Sequence, residues 1–418
     1  MNYHQVKGSK LKVHQEILKR RYVIKGLVNE GSRPVELAHP ENSSSHPLSY
    51  MELPFDPEYT LYNNRMTPEF LNNVSPDDQY WAVRQGVILR NTGEFPVEIS
   101  GPEAEKFANF IFTREMSKFK PGRCSYQFAC LYNGGMITDG VMLHLKRSLL
   151  WMAQADGELF KWYQAHANGF DVVVRDPKVW VSQIQGPKSM QVLSEVIDGE
   201  FPRQWNYFDL AEVRIAGDPV IITRTGFTNE LGWEIYFRPE NNCELIGKKI
   251  WEVGQKYNIM LCGTPAFRAR RIEAGLLSAG ADFNELTTPY EVGLGQFVDL
   301  KKDDFIGKTS LMQSNKNNKL WGIKVRGGIA RKGDLFAVNG PVIGKITSST
   351  WSPYLECGVG IVRVEDCNVG PGDEVATIGL DGKEYFGKLC TLPMYDEKGL
   401  IVRGKYSDIP TQAEPWVG

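Results

Sequence analysis

Two carboxylates in this chain are placed where a carboxylate is costly. Glu234 lies in the run Trp233-Glu-Ile-Tyr-Phe237, among aromatic and β-branched residues. A buried carboxylate there is unfavourable unless something donates to it. A ligand with a flat edge of two adjacent N–H donors would do so. The plainer alternative is a cross-strand pair between Arg224 and Glu234 on a solvated face. The second carboxylate is Asp139. It follows the turn Asn133-Gly134-Gly135 and precedes the apolar run Val141-Met-Leu143. It is either a satisfied structural residue or a site group. Six aromatic residues, Tyr59, Tyr62, Tyr126, Trp205, Trp233 and Tyr236, are candidates for a cation-binding wall or for core.

The elements that must position these groups can be read around them. Pro219-Val-Ile-Ile-Thr223 and Trp233–Phe237 flank a turn rich in Gly and Asn, which predicts a hairpin. Tyr236 falls two residues after Glu234, hence on the same strand face. Asn133-Gly134-Gly135 predicts a second hairpin carrying Asp139 on its returning strand. Val97-Glu-Ile-Ser-Gly-Pro102 and Val181-Ser-Gln-Ile-Gln-Gly-Pro187 each lead from a strand through Gly-Pro into a helix, which suggests two related α+β halves. After the polar stretch Ser314–Asn318 the period shortens. Strands are expected at 319–325, 341–348, 358–364, 374–378 and 383–389, forming a small antiparallel barrel or sandwich. The expected units are a basic extension over residues 1–55, the two α+β halves over 56–313, and the barrel over 318–405.

Composition narrows the function classes. At 418 residues two or three domains are expected. A net charge of −2 offers no basic field for nucleic acid. No apolar run is long enough for a bilayer span, and no signal-peptide pattern opens the chain. Seven scattered Cys without a C-x-x-C pair fit reduced thiols, so a cytoplasmic protein is expected. Six His without paired spacing argue against a metal site. The first 25 residues carry Lys7, Lys10, Lys12, Lys19, Arg20, Arg21 and Lys25 against Glu16, and read as a solvated extension.

Arg224-Thr-Gly-Phe-Thr-Asn-Glu-Leu-Gly-Trp-Glu234 resembles the Arg-Thr-Gly-Tyr-Thr-Gly-Glu-x-Gly-Phe-Glu signature of the aminomethyltransferase family, which contains the glycine-cleavage T-protein and tetrahydrofolate-dependent demethylases. Asn133–Gly140, Arg271-Ile-Glu-Ala-Gly275, Thr288-Pro-Tyr-Glu-Val-Gly-Leu294, Lys302-Asp-Asp-Phe-Ile-Gly-Lys308 and Gly344-Lys-Ile-Thr-Ser-Ser-Thr-Trp-Ser-Pro353 extend the resemblance over residues 59–400. It implies an α+β three-domain clover-leaf: two folate-binding domains, a C-terminal β-barrel and tetrahydrofolate in a central channel. Glu234 would hold the pterin, with Phe227 in the same pocket. Asp139 matches the family's catalytic acid. Arg271 matches an Arg of the folate-tail region, and Tyr126 is placed with the folate-binding group. Tyr236 is assigned beside Asp139 as a reacting-site residue, and Tyr59, Tyr62, Trp205 and Trp233 as the donor wall.

Three departures bear on the reaction. The first acid of the family's Asp-Asp pair is Thr138. The Asp-Val-Ser-His-Met segment is Leu89-Arg-Asn-Thr-Gly93, with Thr92 where His would stand. The Arg that reaches folate in T-proteins is Phe267, so Arg268 or Arg270 would have to take over. Together with the Tyr59–Asn63 entry segment, which resembles that of dimethylsulfoniopropionate demethylases, they imply methyl transfer from a small donor, a sulfonium favoured, to N5 of tetrahydrofolate. The alternatives are O-demethylation of methoxy-aromatics, T-protein-like aminomethyl transfer with a lipoylated partner, and a folate-binding regulator without turnover. Whether the chain forms a homo-oligomer is left open.

Overall fold

A computed structural model describes residues 44–157, 159–202, 204–366, 368–406 and 409. The basic residues of the expected extension lie outside these. The chain begins with β1 (Ser44–Ser45), β2 (Pro57–Tyr62) and β3 (Arg65–Leu71), then α1 (Pro76–Gln85), β4 (Ile88–Thr92), β5 (Phe95–Ser100) and α2 (Ala104–Ile111). Next come β6 (Arg123–Cys130), β7 (Met136–Lys146), β8 (Leu149–Gln154), α3 (Leu159–His166), β9 (Val173–Arg175), β10 (Trp180–Gln185) and α4 (Ser189–Val196). The second half continues with β11 (Leu210–Ile215), β12 (Asp218–Thr223), β13 (Gly232–Phe237), α5 (Cys243–Gln255), β14 (Met260–Leu261), α6 (Thr264–Ala274) and α7 (Lys308–Gln313). Six strands close the chain: β15 (Leu320–Val325), β16 (Ala330–Ala337), β17 (Val342–Ser352), β18 (Cys357–Val364), β19 (Glu374–Gly379) and β20 (Glu384–Cys390).

Both predicted hairpins form: β12 pairs with β13, and β6 with β7. The two strand–Gly-Pro–helix units are β5–α2 and β10–α4. Their sheets are not sequential, however. β4 and β5 are neighbours in the chain but diverge: β4 joins the six-stranded sheet β11-β12-β13-β10-β4-β14, and β5 joins the five-stranded sheet β6-β7-β8-β5-β9. The two halves are therefore interlocked. The last six strands form a closed barrel in the order β15-β18-β17-β16-β19-β20. One of these, β16, was not anticipated. Its sequence Ala-Arg-Lys-Gly-Asp-Leu-Phe-Ala has four consecutive exposed residues, three of them charged, so no alternation marks it.

Strand alternation sets the layers. One face of the six-stranded sheet carries Leu89, Ile184, Trp233, Ile235 and Ile222, which pack with Val192, Leu193 and Val196 of α4 and Ile246 and Ile250 of α5. The opposite face carries Val181, Ile221 and Tyr236, which meet Cys124, Leu143, Trp151 and Ala153 of the five-stranded sheet. The two sheets thus face each other across an apolar layer. Residues 44–55, assigned above to the extension, belong to the globular body: Leu48 is fully buried among residues of the six-stranded sheet and its helices.

α6 ties the parts together. Arg270 pairs with Glu230 at 2.8 Å and with Glu273, and Arg84 of α1 pairs with Glu230 at 2.7 Å. Glu273 also accepts from Tyr80, from Ser352 of the barrel and from Tyr395. A buried ion network of this kind contributes less net stability than its Coulomb energy suggests, but removing one member leaves an unpaired charge.

Candidate active site

A cavity of 780 Å³ lies at one end of the apolar layer, where both sheets, the β2–β3 hairpin, the segment 275–297 and the barrel meet. Its floor follows from strand register. Arg90 is opposite Gln183, Gln183 opposite Glu234, and Glu234 opposite Thr223. These four polar side chains form one row across β4, β10, β13 and β12. They lie on the same face as Tyr236 and Val181, one step toward the cavity.

Glu234 is buried in this row. Its Oε2 accepts from the hydroxyls of Thr225 at 2.7 Å, Tyr236 at 3.0 Å and Thr223 at 3.4 Å. Its Oε1 accepts from the Gln183 amide at 3.0 Å, and a carboxylate oxygen has capacity for a further donor. Burial, and then the neighbouring Glu94 carboxylate, push the Glu234 carboxyl up to about 7; the hydroxyl donors pull the other way. The expected cross-strand partner, Arg224, is turned elsewhere. It donates to the carbonyls of Trp205 and Val402 and lies 5.7 Å from the Trp233 ring centre. Phe227, in the β12–β13 turn, lines the cavity beside Thr225 and Gly226.

Asp139 reaches the cavity from the five-stranded sheet. Tyr126, on the paired strand, donates its hydroxyl to Oδ2 at 2.6 Å. Burial raises the Asp139 carboxyl to about 6 against the lowering effect of that bond. Burial and the same carboxylate hold the Tyr126 phenol well above its ordinary range. Tyr62, from the β2–β3 hairpin, completes this side. Its phenol is also raised, first by burial and then by Glu94, with smaller contributions from Asp139 and Asp156.

The structure therefore gathers Glu234, Phe227, Asp139, Tyr126, Tyr62 and Arg271 around one cavity. It does not bring Tyr59, Trp205, Trp233 or Tyr236 to its surface. Neighbours on a strand point to opposite faces, so Trp233 cannot share a face with Glu234. Its indole is fully buried in the helix-side core, edge-to-face with Trp205 at a centroid distance of 4.7 Å. Tyr59 is turned toward the buried carboxylate of Glu52. Tyr236 has its ring in the layer between the sheets, and only its hydroxyl reaches Glu234. Tyr236 is thus a support behind Glu234 rather than a wall.

The cations also differ from expectation. Arg271 touches the cavity, but its guanidinium is engaged by Asp282 at 2.8 Å, Ser348 at 2.8 Å and the Leu276 carbonyl at 3.1 Å. It ties α6 to the barrel. Arg270 lies in the ion network described above. Arg268, at the cavity edge, pairs with Glu69 at 3.2 Å, and Lys332 of β16 is exposed at the same edge. Phe267 lines the cavity with the Arg90 guanidinium 4.7 Å above its ring.

Several lining residues were missed. Tyr207 and Phe208 line the cavity where Trp205 was expected to; Phe208 adopts φ = 69°, a conformation unusual for a bulky residue. Arg90, Gln183 and Glu94 were also passed over. The available signal was polar residues inside otherwise apolar strand runs, Ile88-Leu-Arg-Asn-Thr92 and Val181-Ser-Gln-Ile-Gln185. Among the described residues no group of His, Cys, Asp and Glu is arranged to hold a metal ion, and no helix is long and apolar enough to cross a membrane.

Residues 58–302 match the GCVT N-terminal domain, and residues 318–396 match the glycine cleavage T-protein C-terminal barrel domain. The chain belongs to the aminomethyltransferase (glycine-cleavage T-protein) family. It is 32% identical to an aminomethyltransferase of Thermotoga maritima, over 76% of this chain and 89% of the relative. It is 32% identical to a trimethylamine-oxide aldolase of Ruegeria pomeroyi over 84% of this chain, and spans 47% of that longer protein. A dimethylsulfoniopropionate demethylase of the same organism is 28% identical over 78% of this chain and 90% of its own length. The fold is that of the aminomethyltransferase T of the Bartonella henselae glycine cleavage system, with a TM-score of 0.76 at 22% identity, covering 84% of this chain and 98% of the other. The three-domain α+β clover-leaf with its C-terminal barrel is thereby the architecture of this chain.

Proposed function

We propose that this family member is a tetrahydrofolate-dependent demethylase that transfers a methyl group from a small donor, a sulfonium favoured, to N5 of tetrahydrofolate. The observation that carries the proposal is the buried Glu234 carboxylate lining the cavity, its Oε2 held by the hydroxyls of Thr225 and Tyr236. A pterin edge offers an N–H beside an exocyclic amine, and an ionised carboxylate is its natural acceptor. The donor set and the cavity size, within the range of small-molecule pockets, both fit a reduced folate.

When bound, tetrahydrofolate supplies the N5 lone pair as nucleophile. The N5–carbon bond forms as the sulfur–carbon bond breaks. The electron pair stays on sulfur, which leaves as a neutral thioether, and the N5 proton is lost. The protein's task is then alignment rather than acid catalysis of the leaving group. Glu234 fixes the pterin, Phe227 walls it, and Asp139, held by Tyr126, orients the reacting nitrogens and takes up the proton. Arg268 and Lys332 supply positive charge at the edge for the folate carboxylates.

A second reading is aminomethyl transfer, favoured by the 32% identity to the Thermotoga maritima aminomethyltransferase. Thr92 in place of the His, and Thr138 in place of the first acid, speak for the demethylase. Purified protein, tetrahydrofolate and candidate donors, without any lipoyl protein, provide the test. Methyl-folate detected by mass supports the demethylase. Turnover only with an aminomethyl-lipoyl partner supports the second reading, and folate binding without turnover in either assay leaves a regulator.

A further inference from the structure

Glu94 is the cavity carboxylate for which neither proposed reading has a use. It follows β4, lines the cavity beside Tyr62, and stands next to Glu234: the Gln183 amide nitrogen contacts Glu234 at 3.0 Å and Glu94 at 3.5 Å. Its other oxygen, Oε2, is buried and has no hydrogen-bond partner. No salt bridge forms to it among the described residues. The two nearest cations are committed elsewhere. Arg65 donates to the main-chain carbonyls of Glu94 and Val179. Arg90 donates to the carbonyls of Pro68 and Cys262 and to Thr264.

Burial holds the Glu94 carboxyl above its ordinary value, and an entering charge of opposite sign would favour its ionised form. Three carboxylates, Glu94, Asp139 and Glu234, share the inner cavity, and none has a side-chain ion pair. Glu234 and Asp139 accept from phenol or threonine hydroxyls at close range, whereas Glu94 has the Thr92 hydroxyl and its own main-chain N–H nearby and its Oε2 stays unbonded. The ligand this arrangement suits carries positive charge, and among methyl donors for the proposed reaction that means an onium. A sulfonium or quaternary ammonium needs a nearby negative charge and an aromatic face, not hydrogen-bond geometry. Tyr62 lines the same cavity, feels the charges of both Glu94 and Asp139, and provides the ring.

We propose that Glu94 is the counter-ion of an onium methyl donor and, with Tyr62, forms the donor subsite of this cavity. The proposal rests on the folate-dependent methyl-transfer reading and names the residue that selects its substrate class. It places the donor cation next to the Glu234 floor, so that the methyl carbon and the pterin share one end of the cavity.

Choline and its uncharged carbon isostere, 3,3-dimethylbutan-1-ol, differ only in the charged atom. Their affinities for the full chain, with and without tetrahydrofolate, are measured by calorimetry, alongside tetrahydrofolate itself. The wild-type chain is expected to prefer choline by about tenfold or more. Glu94→Gln is expected to remove most of that preference while tetrahydrofolate affinity stays within about twofold. Equal binding of the two probes by the wild-type chain overturns the proposal without needing a variant. So does a Glu94→Gln chain that loses tetrahydrofolate instead of the choline preference, since Glu94 would then be a pterin ligand. Absent tetrahydrofolate binding by the wild-type chain would overturn the folate reading. The choline preference is read separately in the folate-free arm.

Discussion

Gln183 donates its side-chain amide to Glu234 at 3.0 Å from the neighbouring strand, in direct register with it. The pairing fixes the carboxylate from the side while Thr225 and Tyr236 hold it from behind. Glu234 is therefore preorganised, so a ligand need not order it on binding.

Replacing Glu234 with Ala should weaken tetrahydrofolate binding by about 1–3 kcal/mol, as expected for loss of a buried charge-assisted hydrogen bond. Calorimetry in buffers of differing ionisation enthalpy adds a second readout. The ionised carboxylate is the form that accepts from the pterin, and Glu234 titrates at about 7 in the free protein. Binding below that pH should release a proton. A chain that binds folate with unchanged affinity after the substitution has its pterin elsewhere.

The stability contributed by Glu234 and Asp139 should fall as pH rises through the window set by these carboxyls, while the buried His46 and His144, whose values are lowered, act in the opposite sense. Glu234 is raised to about 7 and Asp139 to about 6, both above their unfolded values. Between the ordinary carboxylate range and those values the folded chain binds more protons than the unfolded one. The contribution is thus present at the acid end of the window and lost toward neutral pH. The change in urea midpoint from about pH 5.5 to about pH 7.5, taken as wild type minus Glu234→Gln, isolates the Glu234 part and should be negative. A midpoint that rises equally in both chains would contradict it.

Tyr126→Phe removes the hydroxyl that favours ionised Asp139. A hydrogen bond to a charged group is worth about 1.5–3 kcal/mol, or about one to two pH units. The acid limb of the pH–rate profile should move up by that order. A loss of rate with an unmoved limb would assign Tyr126 to packing alone.

Trp233→Ala should cost about 3–5 kcal/mol of stability, because it opens a cavity in a packed core. The donor KM of the folded remainder should be unchanged, since the indole faces α4 and α5 and not the cavity. A large change in KM at normal stability would restore Trp233 to the donor wall.

Much of this protein is legible in one dimension because it depends on local rules. The Asn133-Gly134-Gly135 turn, the alternation around Ile221 and Ile235, and the Gly-Pro links into α2 and α4 each follow from neighbours in the chain. So does the opposition of Trp233 and Glu234, which strand period alone could have used to separate core from site. The family motifs carried the expectation that Glu234 faces a ligand pocket, and the structure places it on the cavity. The rest was decided by contacts between distant segments. Only register across four strands sets Arg90, Gln183, Glu234 and Thr223 in one row. Only the divergence of β4 and β5 into different sheets leaves Glu94 beside the cavity with an unsatisfied oxygen. Arg271 is likewise withdrawn from the ligand by Asp282 and by a barrel serine 77 residues away, Ser348. A residue's type shows what chemistry it can do. Whether it does that chemistry depends on which charges and donors the folded chain brings within a few ångströms of it.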